Sequence, residues 1–350
     1  MTTSNAPWKR WLRTLLFLVA FFTTLEIVRI TAGPNWHTIV SGELYRSAHL
    51  SSSEIQSVAH RFGIRSIINL RNCCPWEPWY QNEGQAVDQL QLQRVDLNFS
   101  AYIYPAPQEL QKLFTALETS PRPLFIHCRR GADRTGLASV IASLYENDGN
   151  ITVDDAEYQL SLFKGHTGVG RVEVMGDVVD MYRSWLRKHD RTHSRANLKQ
   201  WIFEDYRPGF CYGSVEAVQV PRIIHAGEPE LVRVKLTNRS HTPWQFSPAS
   251  NVGIHLRGYI EPAWIKNPPW ADPFEEKPYR KNLAAGFLKA TVQPDESIEL
   301  DVAIPAIREP GKYRLLLDLY DEAMRCSGDM VGSKAFKTSV EITSASVAQR

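Results

Sequence analysis

The sequence predicts two domains of different class, an α/β domain whose sheet carries helices on both faces and an all-β sandwich, behind an N-terminal membrane anchor helix. Three observations carry this. Between residues 36 and 188, short β-prone apolar runs alternate with stretches of helical period, the pattern of a sheet covered by helices. Past residue 213 the helical period vanishes and short alternating strands succeed one another between turn clusters. At the N-terminus, Lys9, Arg10 and Arg13 precede an uncharged stretch, residues 14–25. At 350 residues, 43% hydrophobic and 22% charged, the chain is long enough for two ordinary globular domains. A net charge of +2 without a long Lys/Arg run argues against nucleic acid as a partner.

The divisions expected are an anchor over 1–33, the α/β domain over 34–190, a polar linker over 191–213 and the sandwich over 214–345. The uncharged stretch 14–25 is shorter than the roughly 20 residues of a full span. No clean cleavage site follows it, so an uncleaved anchor is expected, with its basic end cytoplasmic and the folded domains in a bacterial periplasm. In the α/β domain, runs 36–40 and 44–47 form a hairpin, and Ser51 with Glu54 makes a capping box that opens a helix. A strand over 65–70, a helix over 81–90, a strand over 94–99 and a helix over 107–117 follow. A strand over 123–126 and a helix over 137–145 come next, and Thr152 caps another helix. Val174, Met175, Val178, Val179, Tyr182, Trp185 and Leu186 lie on one stripe of a closing helix. In the second domain Val232, Val234 and Leu236 alternate, as do Ile298, Leu300, Val302 and Ile304, and Tyr313, Leu315, Leu317 and Leu319, which suggests seven or so strands. A long insertion over 259–282 carries Trp264, Trp270, Phe274 and Tyr279, either a platform for a glycan or protein partner or a packing surface.

Chemistry concentrates in His127-Cys128-Arg129-Arg130-Gly131-Ala132-Asp133-Arg134-Thr135-Gly136, a cysteine and an arginine separated by five residues on a strand-to-helix turn. Loop N–H groups and the helix N-terminus there converge on one point and favour an anion, either a phosphate or the Cys128 thiolate. A free thiol has a pKa of about 8.5, and such a site lowers it by several units. Cys128 is therefore the expected nucleophile, and Arg134 supplies a planar fork for two phosphate oxygens. Gly131 lets the backbone curl, Gly136 lets the helix approach closely, and Thr135 can donate its hydroxyl to the sulfur. Arg129, Arg130 and Ala132 complete the phosphate-binding loop. His127 is expected to make a fixed hydrogen bond behind it. No metal constellation and no cofactor is expected.

The loop resembles the signature of the cysteine-dependent tyrosine and dual-specificity phosphatases, which react through a phosphocysteine intermediate. The order Leu-Tyr-Arg-Ser-Ala, helix, Ile-Ile-Asn-Leu-Arg, then His-Cys-x-x-Gly-x-Asp-Arg-Thr-Gly is similar to a bacterial dual-specificity-like family over residues 36–188. What the resemblance implies is a phosphoric monoester hydrolase. The C-terminal region resembles an immunoglobulin-like domain, with Pro310-Gly-Lys-Tyr313 as its turn-and-tyrosine feature.

Two carboxyls compete for the role of general acid. Asp96 lies 32 residues before Cys128, near the spacing that dual-specificity phosphatases use, but it alternates with Val95 and Leu97 as a half-buried strand residue does. Asp133 matches the Asp of related Cys-x-x-Gly-x-Asp-Arg-Thr loops and is preferred, with a mere ion pair to Arg134 as the alternative. Of the other cysteines, Cys211 and Cys326 bracket the sandwich and are able to form a disulfide in an oxidising compartment, while Cys73 and Cys74 are either packing residues or redox partners of Cys128. The substrate expected is a phosphorylated protein or a small acidic phosphoester. The alternatives are an inositol phosphate or phosphoinositide phosphatase of the same mechanism, and a vestigial phosphatase serving as a surface binding module.

Overall fold

The computed structural model describes residues 7–266 and 279–344. These divide into two compact units, one of residues 1–102 and 109–205, the other of residues 103–108 and 206–350.

The first unit opens with α1 (Pro7–Ala32). Among the described residues, no helix is long and apolar enough to cross a membrane. The anchor helix is therefore present as a helix but not supported as a span. Its uncharged run is short, with Lys9, Arg10 and Arg13 before it and Glu26 and Arg29 after it. Then come β1 (His37–Val40), β2 (Leu44–Ser47), α2 (Ser52–Phe62), β3 (Ser66–Asn69), α3 (Pro78–Gln89), β4 (Gln93–Asp96), α4 (Pro107–Thr119), β5 (Leu124–His127) and α5 (Asp133–Asn147). The expected capping box forms, with the Glu54 N–H donating to Ser51 Oγ and the Ser51 N–H to the Glu54 carboxylate. The sheet order is β1-β2-β5-β3-β4, parallel except for the β1–β2 pair.

Period-two alternation gives the sheet two buried faces. Ile67 and Phe125 pack with Ile55 and Ala59 of α2 and Ala86 and Val87 of α3. The neighbours Ile68, Leu124 and Ile126, also buried, turn to the other face, where α5 runs against β1, β2 and β5. Helix α5 is buried from Thr135 to Tyr145. A short α6 (Val153–Glu157) follows, capped by Thr152, and α7 (Val174–Lys188) buries the whole predicted stripe. The segment expected to begin a linker is folded instead. Ser194 caps α8 (Arg195–Gln200), and Leu198, Trp201 and Ile202 are buried, an apolar face too short to show through the surrounding charges.

The second unit is a two-sheet sandwich with eleven strands among the described residues, more than the seven or so expected. One sheet joins β6 (Gly213–Gln219), β8 (Glu230–Asn238) and β13 (Ser297–Ile304). The other runs β12 (Ala290–Val292), β9 (Trp244–Phe246), β10 (Ile254–Pro262), β14 (Gly311–Asp321), β16 (Phe336–Thr343) and β7 (Ile223–His225), with β11 (Lys281–Ala285) paired to β10 and β15 (Cys326–Ser327) to β14. The extra strands are two to five residues long, below the length at which alternation is legible. Val232, Val234, Leu236, Val302, Leu315 and Leu317 fill the space between the sheets. Tyr313 Oη donates to the Glu309 carbonyl at 3.1 Å, closing the predicted turn. Within the insertion, Trp264 is exposed and its ring centre lies 6.3 Å from that of Tyr279, while Trp270 and Phe274 lie outside the described residues.

Candidate active site

Strand β5 ends at His127 and helix α5 starts at Asp133, so Cys128 to Ala132 form the loop between them. Its path is fixed by close packing. Gly131 has φ +67°, and a side chain there would put its Cβ 2.5 Å from the Ala48 nitrogen and 2.6 Å from the Ser47 carbonyl oxygen. A Cβ on Gly136 would meet Leu160 at 2.7 Å, which is the close helix approach that the sequence implied. Two buried polar side chains then hold the loop carbonyls. Arg46, from the middle of β2, donates to the carbonyls of Gly131 at 2.6 Å and Ala132 at 3.3 Å. Asn35 donates to those of Arg130 and Gly131, both at 3.1 Å. With its carbonyls pulled outward, the loop turns N–H groups inward.

Cys128 is 3% exposed at the centre of this loop. Burial alone would raise its pKa, but the Arg134 guanidinium, the Thr135 hydroxyl and the N–H groups of Thr135 and Arg130 together hold the thiol below its ordinary value. Thr135 is fully buried, and its Oγ1 has no oxygen or nitrogen partner among the described residues. Arg134 Nη1 rests on the carbonyls of Phe99 at 3.3 Å and Leu70 at 3.4 Å, at the ends of neighbouring strands. Arg129 and Arg130 are exposed on the rim. Burial pushes the Arg46 pKa down to about 10, against the opposing pull of Cys128 and Asp133.

The two carboxyls considered for proton donation have different surroundings. Asp133, in the first turn of α5, accepts a contact from His166 Nδ1 at 2.8 Å, and among the described residues it forms no ion pair with Arg134. Asp96 is tied into the sheet, accepting from Tyr80 Oη at 2.6 Å and Asn69 Nδ2 at 2.7 Å.

Behind the loop, His127 Nε2 lies 3.0 Å and His49 Nδ1 3.4 Å from Glu83 Oε2. Glu83 is almost fully buried. Burial would raise its carboxyl, yet His127 and His49 hold it well below the ordinary range. His127 thus has a fixed partner behind the loop, the Glu83 carboxylate. His49, Glu83 and His127 also form a trio of possible metal ligands, a constellation absent from the sequence reading because they are far apart in the chain. Arg94 Nη1 lies 3.9 Å from Glu83 Oε1, so a guanidinium also faces this carboxylate.

Arg46, Asn35, Glu83 and His166 were not singled out from the sequence. Arg46 carried a signal, being part of the Leu-Tyr-Arg-Ser run, and the others carried none. Cys211 and Cys326 do come together, but as free buried thiols with their sulfurs 3.8 Å apart. Cys73 is exposed and Cys74 half-buried, so neither is a core packing residue.

Residues 31–155 match the model of a tyrosine phosphatase family. No curated protein matches the chain. Among solved structures, the chain is similar to Tk-PTP in its active form (15% identity over 42% of this chain and 97% of that one, TM-score 0.33). It is also similar to the core catalytic domain of the PP-IP phosphatase SIW14 from S. cerevisiae (19%, 45% and 93%, TM-score 0.32) and to a PTP-like phytase from Bdellovibrio bacteriovorus (12%, 49% and 89%, TM-score 0.38).

Proposed function

We propose that this chain, whose residues 31–155 match the tyrosine phosphatase family, hydrolyses phosphomonoesters through a covalent phosphocysteine on Cys128. The observation that carries the reading is the convergence on one buried sulfur of Arg134, the Thr135 hydroxyl and the N–H groups of Arg130 in the loop and Thr135 in the first turn of α5. In the first step the Cys128 thiolate attacks phosphorus in line. The bond to the leaving oxygen breaks as that oxygen takes the Asp133 proton. Arg134 and the loop N–H groups hold the equatorial oxygens. In the second step water attacks the phosphocysteine and gives a proton to Asp133. Phosphate departs, and the sulfur leaves as the thiolate.

Attachment to a membrane through α1, with the catalytic unit outside the cytoplasm, is part of this proposal. Trp11, Phe17 and Phe22 of that helix are exposed, and apolar surface of this kind favours a lipid or protein cover. The cradle grips the phosphoryl group that phosphorylated proteins and small phosphoesters share.

The test is hydrolysis of 4-nitrophenyl phosphate by the full chain, with acid quench and mass analysis for a phosphate adduct on Cys128. Cys128→Ser should lose turnover by more than a thousandfold while still binding phosphate esters. Wild-type protein that binds phosphate esters without turnover would establish the vestigial binding module instead.

A further inference from the structure

The signature loop is only part of the positive charge gathered at this end of the sheet. Arg71 follows β3 directly, and the β3–β5 pairing sets Asn69 opposite His127, the residue before the nucleophile. The Leu70 N–H donates to the His127 carbonyl at 2.9 Å, and Arg134 Nη1 lies 3.4 Å from the Leu70 carbonyl. Arg71 therefore emerges one strand away from the cradle, a spacing of roughly 5 Å. Its guanidinium lies over the Trp79 ring, with Cζ 3.5 Å from the ring centre. Trp79 meets His49 edge-on, and the His49 N–H donates to the Arg129 carbonyl at 3.3 Å. Arg71, Trp79, His49 and Arg129 thus make one continuous wall beside Cys128.

What is unusual is that, among the described residues, the half-buried Arg71 has no carboxylate in direct contact. Among the described residues, no carboxylate pairs with Arg71, Arg129 or Arg130, and no carbonyl accepts from the Arg71 guanidinium. Half-buried guanidinium groups ordinarily find such partners. Instead Arg71 is held over an aromatic face, a contact that leaves its N–H donors available to an anion. Burial lowers its pKa, and the charge of Arg134 pushes in the same direction, while Glu83 and Cys128 pull against them without reversing the shift. These like charges repel one another until anions come between them.

We propose that Arg71, stacked on Trp79, forms a second anion subsite beside the Cys128 cradle and selects substrates that carry another phosphate next to the one being hydrolysed. This rests on the phosphatase reading given above. Two anion grips at adjacent strand ends suit neighbouring phosphates on one small scaffold, such as a polyol ring, better than acidic side chains spread along a peptide. A soluble polyphosphate and a lipid headgroup share this chemistry.

The experiment compares the full chain with Arg71→Gln, Arg71→Lys and Trp79→Leu on four probes. These are 4-nitrophenyl phosphate, myo-inositol hexakisphosphate, phosphatidylcholine vesicles containing phosphatidylinositol bisphosphate, and a phosphotyrosine peptide with acidic flanks. Arg71→Gln should lower the ratio of kcat/KM on a polyphosphate to that on 4-nitrophenyl phosphate by about twentyfold or more, through KM. Arg71→Lys and Trp79→Leu should show intermediate losses with unchanged thermal midpoints. Preference for the soluble probe or for the vesicle identifies the source. An unchanged ratio would overturn the subsite, as would the greatest loss falling on the phosphopeptide. Should the wild type hydrolyse nothing, calorimetry of hexakisphosphate binding to the wild type and Arg71→Gln separates the two ideas. Tenfold weaker binding by the variant would keep the subsite while the hydrolase reading failed, and equal binding would end both.

Discussion

His166 Nδ1 lies 2.8 Å from Asp133 Oδ1, and Asp133 makes no ion pair with its neighbour Arg134 among the described residues. The carboxyl is therefore not spent on holding the phosphate-binding arginine. It has a buried imidazole behind it, in a position to orient it and to exchange a proton with it. Asp96, by contrast, is engaged by Tyr80 and Asn69. Asp133→Asn should accordingly slow alkyl phosphates by about two to four orders of magnitude and aryl phosphates with good leaving groups far less. Asp96→Asn should act mainly on stability. Steady-state kinetics on the two leaving-group classes decides this, and the opposite ranking would move the acid role to Asp96.

Arg46 predicts a loss that is structural first and catalytic second. Its guanidinium supports the Gly131 and Ala132 carbonyls from below the loop. Arg46→Met should cost about 2 to 3 kcal/mol, because buried carbonyls lose a charged donor. It should also lower kcat/KM by relaxing the loop. Denaturant unfolding measures the first effect. Wild-type stability together with wild-type turnover would show that the loop holds its shape without Arg46.

The depressed Cys128 thiol sets a pH dependence. Against burial, Arg134 and the hydrogen bonds from Thr135 and Arg130 keep the thiolate populated below the ordinary thiol pKa of about 8.5. Inactivation by iodoacetate should thus remain fast at neutral and mildly acidic pH. Removing the positive charge, as in Arg134→Met, should move the midpoint of the inactivation profile upward. A wild-type midpoint at or above that of free cysteine would contradict the cradle's electrostatics.

Asp318, buried in strand β14, gives the sandwich a stability signature of its own. Burial pushes its carboxyl up to about 7, only partly opposed by hydrogen bonds from the N–H groups of Asp329 and Leu319. The folded state then holds a proton that the unfolded chain releases near the ordinary aspartate value of about 3.9. Stability from this group is present below that value and is lost as pH rises through about 7. Asp318→Ala should flatten the fall in stability between pH 5 and 8, read by urea unfolding with a sandwich-specific probe.

The thiols offer a test of covalent state. Cys211 and Cys326 are buried, and burial together with the neighbouring Cys326 raises the Cys211 pKa. Native protein should therefore expose Cys73 to a thiol reagent while Cys211 and Cys326 react only on unfolding. Protein recovered from an oxidising compartment should, after unfolding without reductant, withhold both. Rapid native labelling at Cys211 would refute the burial. Free thiols at both positions in exported, unfolded protein would refute the pairing.

Much of this was written locally. The spacing of Cys128 and Arg134, the glycines at 131 and 136, the capping boxes and the stripe of α7 all act between residues close in the chain, where period, turn chemistry and helix N-termini have direct sequence correlates. The sandwich was legible as alternation, but its strand count was not, because strands of two or three residues leave no periodicity. The order of the linker failed for a similar reason, since Leu198, Trp201 and Ile202 form a single short apolar face among charges.

The sequence by itself therefore marked Cys128 as the candidate nucleophile and outlined the loop around it and the class of each domain. Only the tertiary structure decided which distant side chains complete the site. Asn35 and Arg46 reach the loop from the first hairpin region, Glu83 from α3, His166 from beyond the catalytic helix, and Arg71 from the neighbouring strand end. Each is a lone polar residue whose meaning comes from burial and partnership. Those are properties of packing across the sheet, and neither spacing nor composition encodes them.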